Sequence, residues 1–375
     1  MRYTMQPSPV LIPRVGNSEE RVAEKHKKYL IHEHCSIRDA FKQMDTNQGK
    51  FVLVKNDRDV IIGIVTDGDF RRAIFNGVSF KERVSTITNR DFIHFNHTTK
   101  VNEIKQVFLK NKNIQQIPIL KNGFLHKIVF QSHFNKIDLE TPVRSLSAPV
   151  VIMAGGKGTR LDPFTRILPK PLIPIHDLPV TEVIMDRFAK HGMQDFHISI
   201  FDKGKMVKAY FDDFEKPYKI NFIEEKEPRG TFGALSMLKG QLDQPFFVTN
   251  CDIIIDTDYS KFYDFHINGG FAISIIGSIR HFSIPYGVCK IDSEGALVEM
   301  TEKPQYDFLV NTGFYIISPR YLDLIPDEER YDFTHFIQDI RSKGRKVGVY
   351  PVSEKSWLDV GQWGEYNKTV EVLAA

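Results

Sequence analysis

The segment Gly155-Gly156-Lys157-Gly158-Thr159-Arg160-Leu161 follows directly on the apolar run 149–154, and Pro169-Lys170-Pro171-Leu172-Ile173-Pro174 comes soon after it. Glycines at 155, 156 and 158 let a backbone come close to a ligand and turn successive N–H groups toward phosphate oxygens. Arg160 and Lys170 add two positive charges over the same phosphates. The loop does not close on the Gly-Lys-Ser/Thr of an ATPase phosphate loop, and its glycine spacing does not fit the dinucleotide fingerprint. A dinucleotide-linked oxidoreductase is therefore disfavoured. The chemistry the residues suit is the handling of a nucleotide's phosphates.

Such a turn has to be held by a scaffold. Strand patterns at Phe196–Phe201, Lys219–Ile223, Phe246–Thr249 and Phe271–Ile276 alternate with helical patterns at Thr181–His191, Lys205–Phe214 and Thr231–Lys239. This alternation predicts a mostly parallel α/β sheet with right-handed crossovers. Ligand loops belong at the carboxyl ends of such strands, where Gly155, Asp252 and the 224–231 loop fall.

Further landmarks recur in order: Glu227 to Ala234 (EPRGTFGA), Thr249 to Asp252 (TNCD), Tyr286-Gly287, Glu302-Lys303-Pro304, Asn311-Thr312-Gly313 and Trp357 to Gly361 (WLDVG). With GGKGTRL and PKPLIP, this set resembles the nucleotidyltransferases that activate sugar 1-phosphates. The resemblance covers essentially all of residues 149–373, within a domain expected over 149–375, and implies a Rossmann-like, mostly parallel sheet of GT-A type. It implies a reaction in which a sugar 1-phosphate oxygen attacks the α-phosphorus of a nucleoside triphosphate and pyrophosphate leaves. The nucleophile is already an anion, so the burden is to hold two polyanions together and neutralise charge. Arg160 is expected on the leaving pyrophosphate and Lys170 on the α-phosphate, with Ala154, Gly155, Gly156, Gly158, Thr159, Gly230 and Thr231 around the nucleotide. Mg²⁺ takes hard oxygen ligands, and the resemblance makes Asp252 and Asp359 its ligands. Gly287, Glu302, Lys303 and Asn311 are the implied contacts to the sugar phosphate. Asp256 and Asp258 are expected to cap helices instead.

Base choice turns on one position. Where thymidylyl and uridylyl relatives carry a Gln five residues before the loop glycine, this chain has Glu225. A carboxylate offers two acceptors, which match the N1–H and 2-amino donors of guanine and oppose the acceptors that flank the single donor of uracil or thymine. GTP is favoured, although 224–227 is also a run of charges suited to solvent.

A repeat precedes this part. Residues 61–70 align without gaps on residues 125–134 at an offset of 64, and Ile37, Ala40 and Met44 match Val101, Ile104 and Phe108 at the same offset. Each copy reads as helix, strand, polar turn, strand and helix, two such units packing face to face. Gly63-Ile64-Val65-Thr66-Asp67-Gly68-Asp69 makes the duplication resemble a CBS pair over 30–138, an α+β module smaller than the second domain. The resemblance implies that Thr66 and Asp69 hold the phosphate and ribose of an adenine nucleotide such as AMP. The second copy has Phe130 and His133 at those places, so one competent site is expected. Thr66 and Asp69 are equally suited to capping the helix that follows. A CBS pair preceding a nucleotidyltransferase looks most like the bacterial guanylyltransferases that make GDP-glucosamine for legionaminic acid synthesis, which implies glucosamine 1-phosphate as the acceptor. Other bases and sugars (GDP-manno-heptose or dTDP/UDP-glucose type) and a non-catalytic nucleotide sensor are the alternatives.

At 375 residues, 42% hydrophobic and 26% charged, the chain has the size and make-up of two folded domains. Residues 1–29 read as an arm with a short exposed helix over 18–28, and 139–148 as a linker. Residues 1–147 carry 24 Lys+Arg against 15 Asp+Glu, but the basic residues are scattered, which argues against a nucleic-acid partner. No apolar run reaches the roughly 20 residues of a membrane helix. No leader pattern opens the chain and its three cysteines are far apart, so a cytoplasmic enzyme is expected, as a homo-oligomer. His32 and His34, and His94 and His97, have no matching carboxylate or cysteine cluster, so metal binding there is not expected.

Overall fold

The computed structural model describes residues 26–47, 49–111, 114–131, 144–156, 158–212 and 216–374. The chain divides into two compact units, 1–141 and 142–375. The expected arm lies outside the described residues as far as residue 25, and Lys27–Tyr29 form a single 3-10 turn. Among the described residues no helix is long and apolar enough to cross a membrane.

The first unit is built twice on one plan. β1 (Leu30–His32) runs parallel to β2 (Phe51–Lys55), which pairs antiparallel with β3 (Ile61–Thr66). α1 (Ile37–Asn47) joins β1 to β2, and α2 (Asp67–Phe75) follows β3. β4 (Phe95–Asn96), α3 (Val101–Lys110), β5 (Gln116–Lys121) and β6 (Phe124–Phe130) repeat the order and the pairing. The helix expected after β6 lies outside the described residues. Ile37, Ala40, Phe41 and Met44 line the buried side of α1 at three- and four-residue spacing, as an amphipathic helix requires. The β2–β3 and β5–β6 turns place Asp59 and Gly123, equivalent at the offset of 64, in the left-handed region with φ of 59° and 86°. Asp and Gly are residues that tolerate it. Tyr29, Phe51, Leu53, Ile61 and Ile64 of the first copy form one buried cluster with Leu120 and Ile128 of the second. The face each sheet leaves open is thus closed by the other.

The second unit centres on a seven-stranded sheet. β7 (Val150–Met153) lies between β10 (Asp195–Ile200) and β12 (Phe246–Asn250), both parallel to it, and β11 (Lys219–Glu224) is parallel to β10. A small hairpin of β8 (Pro174–Ile175) and β9 (Leu178–Pro179) stands apart, and β13 (Ile253–Ile255) follows β12. Beyond β12 come β17 (Gln305–Ile317) and β14 (Ile273–Ser283), antiparallel to each other, and then β18 (Val347–Val352) at the edge. β15 (Val288–Ile291) and β16 (Leu297–Thr301) extend the β14–β17 hairpin, and β19 (Trp357–Asp359) pairs with β13. The helices are α4 (Phe164–Ile167), α5 (Val180–Ala189), α6 (Gly204–Asp212), α7 (Tyr259–Gly269), α8 (Phe333–Ser342) and α9 (Trp363–Ala374).

The central strands are apolar on both sides because both faces are covered. Val150 and Ile152 pack with Ile184, Phe188, Phe211 and Phe262 on the face of α5, α6 and α7. Val151, between them, packs with Leu235, Leu238, Phe336 and Ile340 on the opposite face. One residue's step along β7 changes the layer.

Several boundaries differ from expectation. The second half of the expected linker belongs to the second unit: Leu146 and Ala148 join its core, and the Leu146 N–H donates to the His191 carbonyl at 2.7 Å. The helix expected at 231–239 is a 3-10 segment, Gly233–Leu238. A Cβ on Gly233 would lie 2.7 Å from the Arg229 Cβ and 3.0 Å from the Glu329 carbonyl oxygen, so the segment is pressed against its neighbours. The strand expected at 271–276 begins at Ile273 and runs on to Ser283, paired along its length with β17. Asp258 caps α7, its Oδ1 accepting from the Ser260 and Lys261 N–H groups. Asp258, not Asp256, is the N-cap of that helix; Asp256 sits 4.0 Å from Arg187, and its own N–H donates to the Ser356 carbonyl.

Candidate active site

β11, β10, β7 and β12 lie side by side and parallel, so their carboxyl ends form one edge. Along it stand Glu225, just past β11; Ser199, near the end of β10; the glycine turn after β7; and Cys251-Asp252 after β12. The Ala154 N–H donates to the Ser199 carbonyl at 3.0 Å, and the Cys251 N–H to the Met153 carbonyl at 3.1 Å. The sheet's own hydrogen bonding thereby places each of these segments. This is the edge at which parallel α/β sheets bind ligands.

The turn itself rests on Lys170. Gly158 has φ of 67°, and a Cβ there would lie 2.9 Å from the Thr165 Cγ2 and 3.1 Å from the Lys170 Cβ. Gly156 is exposed with open space around it, and Thr159 and Arg160 are exposed in the 3-10 turn that follows. Lys157 lies outside the described residues. Lys170 is largely buried, with its Nζ 2.5 Å from the Asp252 Oδ2. Burial works against its ammonium, but the Asp252 carboxylate in contact with it outweighs that, and the Lys170 pKa is raised. The group stays protonated. The Arg160 charge acts on both Lys170 and Asp359, so the two expected cations share one field. Cys251 is fully buried and pushed up to about 12 by that burial, which leaves it a neutral thiol.

Asp252 and Asp359 meet because β13 pairs with β19, Ile253 opposite Asp359, and the Val360 N–H donates to the Asp252 carbonyl at 2.9 Å. A Cβ on Gly361 would be 2.3 Å from the Asp252 Oδ2 and 2.9 Å from the Asp359 Oδ1. Only a residue without a side chain lets the two carboxylates converge there. The Gly361 N–H donates to the Asp359 Oδ1 at 2.7 Å. Burial, aided by the neighbouring Asp252, nonetheless holds the Asp359 pKa above the usual carboxylate value. The Asp252 Oδ1 is buried without a hydrogen-bond partner among the described residues. Two converging carboxylates, one carrying an unsatisfied buried oxygen, fit a hard divalent cation such as Mg²⁺.

Glu225 stands out from its neighbours in the charge run. Glu224, Lys226 and Glu227 are exposed, and Glu224 pairs with Lys208. Glu225 turns inward: its Oε1 accepts from the Ser199 hydroxyl at 2.7 Å and its Oε2 from the Arg229 N–H at 3.1 Å. A Cβ on Gly155 would come within 2.3 Å of the Glu225 Oε1, so the carboxylate lies directly over the first glycine of the turn. Gly230 and Thr231 serve a different contact. Gly230 has φ of 78°, and the Thr231 N–H donates to the Asp332 Oδ1 at 2.9 Å while its Oγ1 accepts from the Phe333 N–H. Both fasten the loop to the start of α8. Asp332 and Ser199 were not singled out from sequence.

The expected acceptor residues share the β14–β17 hairpin. Gly287 leaves room for Glu302, whose Oε2 would be 2.9 Å from a Cβ there. Lys303 is exposed with φ of 44°, a strained value for a side-chain-bearing residue, and its N–H donates to the Tyr286 carbonyl. Asn311, further along β17, donates to the Tyr315 hydroxyl at 2.9 Å and accepts from the Gly313 N–H at 3.1 Å. A Cβ on Gly313 would be 2.5 Å from the Asn250 Nδ2, which puts this turn against the segment leading to Asp252.

In the first unit, Thr66 and Asp69 form a capping box at the start of α2. The Asp69 Oδ2 accepts from the Thr66 N–H at 2.8 Å and from the Thr66 hydroxyl at 2.6 Å, and Arg72 takes its other oxygen. One expectation needs correcting. Asp57 does approach His32 and His34, with ligand atoms of all three within 4.8 Å of one another, because the β2–β3 turn brings it beside β1. The His32 Nδ1 accepts from the His34 N–H at 3.4 Å, which leaves the ring proton on the Nε2, 3.2 Å from the Asp57 Oδ1. The arrangement reads as a hydrogen-bonded His–Asp contact.

The model of the family described as nucleotidyl transferase matches residues 149–374, and that of the CBS domain matches residues 26–76. A mannose-1-phosphate guanyltransferase of Candida albicans is 30% identical over 226 residues, 56% of this chain and 60% of that protein. A D-glycero-alpha-D-manno-heptose 1-phosphate guanylyltransferase of Campylobacter jejuni is 29% identical over 58% of this chain and 96% of its own length. A UTP–glucose-1-phosphate uridylyltransferase of Synechocystis is 29% identical over 58% of this chain and 61% of its own. The chain thus spans about three fifths of the Candida and Synechocystis proteins and nearly all of the Campylobacter one.

Proposed function

The chain belongs to the nucleotidyl transferase family and carries a CBS domain, and from that premise we propose that it transfers GMP from GTP to a sugar 1-phosphate, releasing pyrophosphate. The observation that carries the reading is the meeting of the glycine turn, Lys170, Asp252 and Asp359 at the edge of β7 and β12. A sugar-phosphate oxygen forms a bond to the α-phosphorus, the bond from that phosphorus to the bridging oxygen breaks, and pyrophosphate leaves with the electron pair. No proton has to move. Lys170, kept charged beside Asp252, is placed to neutralise the α-phosphate, and the exposed Arg160 to hold the departing phosphates. Asp252 and Asp359 would hold Mg²⁺, which supplies further neutralisation of the triphosphate. The turn at Gly155 and Gly158 brings backbone against the phosphates and keeps them in line.

Guanine is supported by the inward carboxylate of Glu225, and two of the three relatives are guanylyltransferases. Glucosamine 1-phosphate is the acceptor we propose. It rests on the order of the two domains and not on any side chain. Glu302 and Lys303, beside Gly287, would take the sugar hydroxyls and the phosphate. In the first unit, Thr66 and Asp69 would exchange their capping bonds for the phosphate and ribose of an adenine nucleotide.

A grid of four ribonucleoside triphosphates and dTTP against glucosamine, glucose, mannose and heptose 1-phosphates, read by mass spectrometry, tests the assignment. GTP with glucosamine 1-phosphate should give the fastest product. Glu225→Gln should lower the GTP-to-UTP rate ratio by about tenfold, the value of one charge-assisted hydrogen bond. Faster reaction with a pyrimidine triphosphate, or no product in any cell of the grid, would contradict it.

A further inference from the structure

Along β10, Phe196, Ile198 and Ile200 point into one core layer. Ser199 alternates with them and is fully buried on the other face, where its β7 and β11 neighbours Met153 and Ile223 are apolar. A hydroxyl in such a place is costly without a partner. Its partner is the Glu225 Oε1, at 2.7 Å, across 26 residues of sequence. The other carboxylate oxygen is held by a backbone N–H, that of Arg229. Each oxygen therefore has one fixed donor and keeps further acceptor capacity, and the Oε1 lies over Gly155.

We propose that Ser199 is a positioning residue for base selection: its buried hydroxyl fixes the plane of the Glu225 carboxylate so that both oxygens meet the N1–H and 2-amino donors of guanine together. The inference rests on the reading of Glu225 as the base-recognising group. A carboxylate free to turn about its last torsion meets one donor well and the second poorly, whereas one held at both oxygens is preorganised for two. A site built on a hydrogen-bond pair discriminates most strongly against a ligand lacking one member of it. Inosine triphosphate is that ligand, since it has N1–H and no 2-amino group.

The test is calorimetric binding of the magnesium complexes of GTP and ITP to the full chain, which needs no sugar. The parent should bind GTP more tightly than ITP. Ser199→Ala should weaken GTP about tenfold and ITP threefold or less, with an unchanged far-ultraviolet circular dichroism spectrum. Ser199→Cys, alike in shape but slightly larger and a weaker donor, should fall between. If Glu225→Gln changes the GTP-to-ITP ratio but Ser199→Ala and Ser199→Cys do not, or if they weaken both ligands equally, Ser199 has no part in selection and the proposal fails while the reading of Glu225 stands. If the parent shows no preference, or Glu225→Gln leaves the ratio unchanged, that reading fails and takes this proposal with it.

Discussion

Asp252→Asn should lower turnover by about a thousandfold, near 4 kcal/mol in the barrier. The substitution keeps the size and one oxygen, yet it removes the negative charge that the site directs at both Lys170 and a cation. Two effects compete in this variant. The buried pair with Lys170 is weakened, which costs stability, and the proposed metal site would lose a ligand charge. Stability loss alone would lower the melting temperature by about 5 °C and leave the rate of the folded fraction intact. A thousandfold loss at a temperature well below melting therefore isolates the chemical role. Turnover within a few-fold of the parent would remove Asp252 from the mechanism.

Lys170→Ala should cost about as much, through the opposite sign of charge. Without the ammonium, Asp252 and Asp359 lie uncompensated beside Gly361, and in the proposed reaction the α-phosphate would lose a neutralising cation. The loss belongs to kcat, because the charge matters most where phosphate charge shifts in the transition state. We expect kcat to fall about a thousandfold and KM for the triphosphate to move only a few-fold. Lys170→Arg, which keeps the charge but changes its shape and reach, should recover part of the rate. A change confined to KM would make Lys170 a binding residue only.

How much of this was legible in the sequence depended on distance along the chain. The glycine turn, PKPLIP and the aspartates of TNCD and WLDVG are contiguous motifs, and the parallel strands announced themselves as apolar runs bounded by turns. Asp252 and Asp359 are far apart in sequence and meet only through the pairing of β13 with β19. The antiparallel hairpin went unread because its outer strands lack alternation: Leu297, Val298 and Met300 are all exposed. The 3-10 segment at Gly233–Leu238 followed a helical pattern, but its close packing at Gly233 tightened it. Asp332, reaching Thr231 across 101 residues, and Ser199 answer to partners that no local pattern reveals. Ser199 did leave a trace, a hydroxyl within the apolar strand Phe196–Ile200. Thr66 and Asp69 show the reverse difficulty. The residue types fit both a ribose site and a capping box, and the capping box is formed.

The most direct measurement is a crystal structure of the full chain grown with magnesium and a GTP analogue that cannot be cleaved between the α and β phosphates. The account predicts the triphosphate over Gly155–Gly158 with Lys170 and Arg160 against it, a metal ion between Asp252 and Asp359, and the guanine edge at Glu225. A triphosphate seated elsewhere in the second unit, or an ion bound without either aspartate, would contradict it.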